Sequence, residues 1–162
     1  MNRKTLKLTL AGAFVACAFG GFAIGIAYAT PGAGVTATLI AGPVALDEVN
    51  INVKVDDDTH AKIKTKGEWV SRVVHYKIVP GGYTGWHSHP GPVFVMITAG
   101  TMTKYEAGDP TPAVYPAGTG FVEGVGDVHN AGNAGAVPLE FTAFFLTPAG
   151  AAIRIDEPAP QP

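Results

Sequence analysis

Cysteine is almost absent from this chain, charged residues are few, and no long segment has a clear helical periodicity. The 162 residues include one Cys, so no disulfide can form within the chain. Only 15% of residues are charged and 47% are hydrophobic, which argues against a disordered protein. Lys and Arg (11) do not outnumber Asp and Glu (13), which argues against a nucleic-acid partner. The content of 21 Gly and 13 Pro argues against a helical bundle.

The N-terminal 29 residues have the pattern of a secretory signal peptide. Arg3, Lys4 and Lys7 form a basic start, residues 8–29 carry no charge, and the segment ends in Ala-Tyr-Ala. We predict cleavage after Ala29, because the peptidase needs small side chains beside the cut. The alternative is a retained membrane anchor, since 22 uncharged residues are long enough to span a bilayer. Only in that case do we expect a membrane partner.

Removal of residues 1–29 changes the balance of the chain. Eight basic and thirteen acidic residues remain, so the formal net charge becomes −5, and the single Cys17 is lost. A thiol nucleophile and a thiolate metal site are therefore excluded in the processed form. We expect this form to be secreted or periplasmic, or to stand outside the cytoplasm if the anchor is retained.

Strand signals recur about every ten residues along the rest of the chain, which predicts a β-sandwich or β-barrel. We divide the chain into an N-terminal extension (30–44), one domain (45–155) and a Pro-rich disordered tail (156–162). The predicted strands are 51–55 (half-buried), 68–79 (ended by Pro80-Gly81-Gly82), 93–98 (buried on both faces), 101–105, 114–115, 120–123 and 137–146. The acidic run 56–58 reads as a solvated turn.

Two of the five His form the pair His87-Ser88-His89. Residues i and i+2 of a strand point to the same face, so two imidazoles can bind one metal ion while Ser88 points away. Imidazole is a ligand for Zn, Cu, Fe and Ni. His129 lies forty residues later and needs the fold to bring it close.

Two glycine-and-histidine patterns carry a resemblance to a known family. Gly81 is followed by five residues, His87-x-His89, three residues, Val93, six residues and Gly100. This pattern resembles the first motif of the cupins at every fixed position except one, because the cupin motif has Glu where this chain has Val93.

The second pattern also resembles a cupin motif. Gly118 is followed by five residues, Gly124-Val-Gly126, two residues, His129, three residues and Asn133. Every fixed position matches except Gly124, where the cupin motif has Pro. The two motifs lie in the cupin order, and the resemblance extends over about residues 45–155.

The resemblance implies an all-β fold, a single antiparallel jelly-roll β-barrel with a metal site in its mouth. The implied ligands are His87, His89 and His129, and the implied cofactor is a divalent metal ion, Fe foremost, with Mn, Ni, Cu or Zn as alternatives. Because Val93 cannot coordinate, we expect no carboxylate at the metal. We also expect Gly81 and Gly82 to permit a tight turn that aims the His strand inward, and Gly100 and Gly126 to permit positive φ. Asn133 is expected to bond its own backbone in a turn.

Other polar side chains near the motifs receive structural roles. We expect Asp127 to bond local backbone in a turn, with orientation of a ligand His as the alternative. We expect Glu123 to be a strand-end surface residue. We expect His75 to be a core or surface residue whose ring nitrogens have hydrogen-bond partners, and His60 to be a loop residue. Trp86 and Tyr83 are expected to pack beside the first motif or to line the pocket.

The functional prediction is an exported metalloprotein that acts on a small molecule, as a dioxygenase-type oxidoreductase. The alternative is a cupin that binds or senses a small ligand or a metal without turnover, or one that holds no metal. The catalytic residues and the substrate are unknown at this stage, and a homodimer is a possible assembly.

Overall fold

The computed structural model describes residues 30–160, and these residues form an all-β domain. No helix occurs in this range, and none of its residues belongs to a segment that could cross a membrane as a helix. The predicted signal peptide, 1–29, lies outside the described residues. The strands are β1 (Ala33–Leu46), β2 (Asn50–Lys54), β3 (His60–Lys64), β4 (Trp69–Tyr83), β5 (His87–Ser88), β6 (Val93–Ala99), β7 (Thr101–Glu106), β8 (Asp109–Pro116), β9 (Gly120–Glu123), β10 (His129–Gly132), β11 (Leu139–Pro148) and β12 (Ile155–Asp156).

Ten of these strands form one antiparallel sheet that is bent into a nearly closed barrel. The main order is β12-β5-β10-β4-β11-β6-β9, while β1 also pairs with β4, and β7 pairs with β10 and β8. The predicted fold class, a single antiparallel jelly-roll barrel, is therefore confirmed. Residues 30–44, which we assigned to an extension, contain most of β1.

The barrel core follows the two-residue period of its strands. In β6, Val93, Val95 and Ile97 are buried, whereas Phe94 and Met96 are 39% and 47% exposed. The prediction that this strand is buried on both faces is therefore wrong, because the outer face of the sheet is open to solvent here. A continuous apolar run is found both in strands buried on two faces and in strands with one exposed face, and periodicity alone cannot distinguish them. The inward residues of β11 complete the core from the neighbouring strand.

The Pro-Gly-Gly sequence does not end β4, as we had expected, because the strand continues to Tyr83. Gly81 N donates to Asn133 O over 2.8 Å and Asn133 N donates to Gly82 O over 2.9 Å, so pairing continues across the glycines. Gly81 has a φ of +77°, a conformation that costs glycine little. The pairing of β1 with β4 shifts register at these glycines, between the pairs Val35–Ile78 and Ala33–Tyr83.

The strands β2 and β3 form a hairpin that pairs only with itself. All residues of both strands are exposed, so the predicted half-burial of 51–55 is wrong. The alternation of side chains is present, but no described element packs on its apolar face. The acidic run behaves as predicted, because Asp56 Oδ1 accepts hydrogen bonds from the backbone N–H groups of Asp58 and Thr59. His60 starts β3 and is not a loop residue.

The C-terminal segment holds the short strand β5 in place. In β12, Ile155 pairs with Ser88 and Asp156 pairs with His87. Ser88 Oγ donates to Glu157 Oε1 over 2.7 Å, and Glu157 N donates to Trp86 O over 3.0 Å. The beginning of the segment that we predicted as a disordered tail thus anchors β5, the strand that contains His87 and immediately precedes His89.

The buried core predicts how much a large-to-small substitution destabilises the protein. Leu139 is fully buried in the core cluster, so Leu139→Ala leaves a cavity and should lower the free energy of unfolding by about 2–5 kcal/mol. The matched control is Leu39→Ala on β1, where the side chain is 54% exposed and the expected loss is below about 1 kcal/mol. Urea unfolding followed by Trp fluorescence measures both. Equal losses would contradict the described core.

The link between Glu157 and β5 yields a second expectation. Ser88 is 2% exposed, so Glu157→Ala leaves a buried hydroxyl without its acceptor and should cost about 1–3 kcal/mol of unfolding free energy. The control is Asp57→Ala, which removes an exposed ion pair with Lys54 and should cost less than about 1 kcal/mol. If the two variants unfold at the same urea concentration, the C-terminal segment does not anchor β5.

Candidate metal centre

Three histidines from two parts of the chain meet inside the barrel. His87 lies in β5, His89 follows it, and His129 begins β10, where it is paired with His87. All three are at least 94% buried, and one ring nitrogen of each lies within 4.8 Å of the others. The residues that the sequence predicted as a group are therefore brought together. Their binding of a metal remains a prediction.

The Nδ1 atom of each ring is held by a backbone carbonyl. His87 Nδ1 lies 2.8 Å from Gly85 O, and His89 Nδ1 lies 2.5 Å from Ile153 O. His129 Nδ1 lies 2.9 Å from Asp127 O. Because a carbonyl oxygen only accepts, each Nδ1 carries the proton. In a neutral ring, Nε2 is then left with a lone pair for a metal ion.

The pKa of His87 favours this neutral form. Burial, and then the neighbouring His129, lower the pKa of His87 to about 3. Its ring is therefore uncharged in the pH range in which an ordinary histidine titrates. A neutral imidazole is the form that binds a metal ion, since protonation removes the lone pair.

Glu123 is the functional residue that the sequence prediction missed. We expected a surface residue, but Glu123 is 5% exposed and its carboxylate faces the histidines. Oε1 lies 3.0 Å from His129 Nε2, and Oε2 lies 3.2 Å from His89 Nε2. Burial raises the pKa of Glu123. When His129 and His89 carry a second proton on Nε2, their hydrogen bonds and positive charge outweigh burial and hold the pKa of Glu123 well below its ordinary value.

A signal for Glu123 was present in the sequence. Glu123 is two residues after Phe121, so both side chains of β9 point to the same face. Phe121 packs against the core, which places Glu123 inside the barrel as well. If Phe121 is taken as an inward-facing residue, the alternation of side chains along β9 predicts that Glu123 is buried. Its position at the strand end had suggested exposure.

The remaining residues near the motifs have structural roles. Asp127 Oδ2 accepts a hydrogen bond from Gly124 N over 3.0 Å, as expected for a turn residue, while it is the backbone carbonyl of Asp127 that orients His129. His75 lies 3.6 Å from Glu140 and is partly exposed, away from the cavity. Trp86 and Tyr83 do not line the cavity.

The histidines open into a cavity of about 390 Å³ inside the barrel. Its size suits a small molecule. Apolar side chains of the core form most of the wall, and Tyr76, Thr84 and Arg154 add polar groups. Burial raises the pKa of Tyr76 to about 12, so its hydroxyl keeps its proton. Arg154 contributes a permanent positive charge, which Asp156 partly balances through a contact with Nε.

The donor set fits a divalent metal ion. Three imidazole nitrogens are oriented by their backbone partners, and a buried carboxylate lies beside two of them. Imidazole and carboxylate ligands together suit Fe, Mn, Ni, Cu and Zn.

Solved structures resemble the fold at low sequence identity. A cupin-like protein from Thermotoga maritima MSB8 is 21% identical, with 58% of this chain and 79% of that chain covered and a TM-score of 0.50. A cupin domain from Bordetella pertussis Tohama I is 18% identical, with 73% and 96% covered and a TM-score of 0.49. An oxalate decarboxylase from Lactobacillus farciminis is 22% identical, with 53% and 26% covered and a TM-score of 0.46. At these identities the likeness concerns the fold alone.

No curated protein matches the sequence at a significant level. The family model of the cupin domain does match, over residues 74–145. This range contains the three histidines, Glu123 and Asn133. The motifs and the jelly-roll barrel agree with the family model, and residues 74–145 of this chain are a cupin domain.

Proposed function

We propose that this cupin holds a divalent metal ion on His87, His89 and His129 and acts on a small molecule as a dioxygenase-type oxidoreductase. The observation that supports this function best is the convergence of three imidazole rings that line a largely apolar cavity, each with its Nδ1 bonded to a backbone carbonyl. A redox-active ion bound there would supply Lewis acidity and electron transfer toward a substrate oxygen and O₂. Iron is the metal that we favour.

The chain's own residues contribute binding and exclusion of water. The apolar wall of the cavity removes water from a bound molecule, which strengthens the polar contacts that remain. Tyr76 offers a neutral hydroxyl as a hydrogen-bond donor. Arg154 offers N–H groups besides the Nε atom that contacts Asp156. We therefore propose a small substrate with an apolar body and an oxygen-rich or anionic end.

The binding of a metal by the histidines is tested by elemental analysis. We expect about one metal ion per chain after purified protein is supplied separately with Fe, Mn, Ni, Cu or Zn. His87→Ala should lose most of this metal, while His60→Ala, on the exposed hairpin, should keep it. Circular dichroism checks that both variants are folded. If no metal binds to the unmodified protein, the metalloenzyme function is wrong.

Oxygen consumption separates the enzyme from a binding protein. Metal-loaded protein is offered diketones, thiols and phenols in an oxygen electrode, with His87→Ala as the control. Uptake that depends on His87 supports the oxidoreductase. Metal binding without uptake for any of these substrates favours a cupin that senses or binds its ligand without turnover.

We also propose that the chain is exported, with residues 1–29 as a cleaved signal peptide. The support is the basic start, the uncharged segment and the Ala-Tyr-Ala end. Expression of the full sequence in a bacterial host should yield a protein that begins at Thr30, as read by mass spectrometry. Large residues at Ala27 and Ala29 should block this cleavage. An uncleaved protein in the membrane would indicate the anchor instead, and an uncleaved protein in the cytoplasm would contradict export.

A further inference from the structure

The strand register places Glu123 directly across from Val93. The two residues are Cα partners in the antiparallel pair of β6 and β9, and both are at least 95% buried. Directly opposed residues of an antiparallel pair have Cβ atoms about 4.5–5.5 Å apart and project to the same face. A carboxylate on β9 therefore reaches the region that a side chain at position 93 on β6 would reach.

The distances from Glu123 to the histidines are those of ligands that share one metal. Glu123 Oε1 lies 3.0 Å from His129 Nε2, and Oε2 lies 3.2 Å from His89 Nε2. Oxygen and nitrogen ligands at about 2.0–2.2 Å from an ion lie roughly 3–3.5 Å from each other in tetrahedral or octahedral geometry. The contacts involve Nε2, the ring atom that no backbone group holds.

The buried negative charge of Glu123 also favours a cation beside the histidines. Within the described part of the chain, its ion-pair partners are His89 and His129 alone. Arg154, which lines the same cavity, contacts Asp156 instead. Taking a carboxylate out of water is costly unless it is paired or coordinates a metal. When the two rings are neutral, a metal ion is the positive charge that can balance it.

We infer that Glu123 supplies the carboxylate of the metal site from β9, where it replaces the glutamate that β6 lacks at Val93. This inference rests on the proposed metal site. With His87, His89 and His129, it makes a donor set of three imidazoles and one carboxylate. The first cupin motif has its carboxylate at the position of Val93 on β6, whereas here the carboxylate lies on the neighbouring strand β9.

The first test compares metal affinities without any enzymatic activity. Glu123→Gln keeps the shape of the side chain and removes its charge, and competition with a chromophoric chelator measures the dissociation constant for Mn²⁺ and Co²⁺. We expect a rise of at least about 100-fold, the upper end of the loss seen when a group only orients a ligand. The matched control is Glu140→Gln on β11, a partly exposed carboxylate that contacts Lys77, which should change the constant less than about twofold.

The second test distinguishes a ligand from a neighbouring charge. If Glu123 binds the ion, Glu123→Gln changes the position or intensity of the visible Co²⁺ absorption bands. The double variant Val93→Glu with Glu123→Gln moves the carboxylate to the facing strand. We expect it to recover affinity to within about tenfold of the unmodified protein, since the donor returns to the same region.

The outcomes separate this inference from the function on which it rests. If His87→Ala loses the metal while Glu123→Gln binds it with unchanged affinity, Glu123 is not a ligand and the three-histidine site stands. Weaker binding with an unchanged Co²⁺ spectrum likewise overturns the inference, because it shows a positioning role. If both His87→Ala and Glu123→Gln bind the metal as tightly as the unmodified protein, the metal site itself is wrong.

Discussion

Each buried imidazole in this barrel has two ring nitrogens that need partners, and this requirement organises the site. The Nδ1 atoms bond to carbonyls of Gly85, Asp127 and Ile153, which belong to three separate segments. Once these bonds are made, the tautomer and the direction of every ring are set. The Nε2 atoms then have to converge, and Glu123 is the described acidic group placed to meet two of them.

The barrel supplies these carbonyls by bringing distant segments side by side. Gly85 precedes β5, and Asp127 lies in the turn before β10, so the paired strands β5 and β10 carry both. Ile153 comes from the C-terminal segment, which β12 and Glu157 fasten to β5. Loss of any of these segments would leave a buried ring nitrogen without its partner. The architecture around the site is therefore a consequence of hydrogen-bond satisfaction as much as of apolar packing.

Local patterns predicted the parts of the fold that depend on local chemistry. Gly100 and Gly126 adopt positive φ as predicted, and so do the motif glycines Gly81 and Gly118; only glycine adopts this conformation readily. Asn133 accepts a hydrogen bond from Gly135 N, as its turn position suggested, and also donates to the carbonyls of two other residues. The errors concern burial: β6 is half-exposed and the hairpin β2–β3 is wholly exposed. Alternation shows which side chains share a face, but it cannot show what covers that face.

The amino-acid sequence by itself determined the β-strand class through strand period and turn glycines, which are local. The set of three histidines came from the resemblance of the two motifs to those of the cupins, because His129 is too far along the chain for local spacing to place it. Only the tertiary structure decided where the carboxylate lies. The absence of glutamate at Val93 had indicated a site without one, yet the register of β6 against β9 puts Glu123 opposite that position. Register between neighbouring strands arises from the packing of the whole barrel, and no local pattern of either strand contains it.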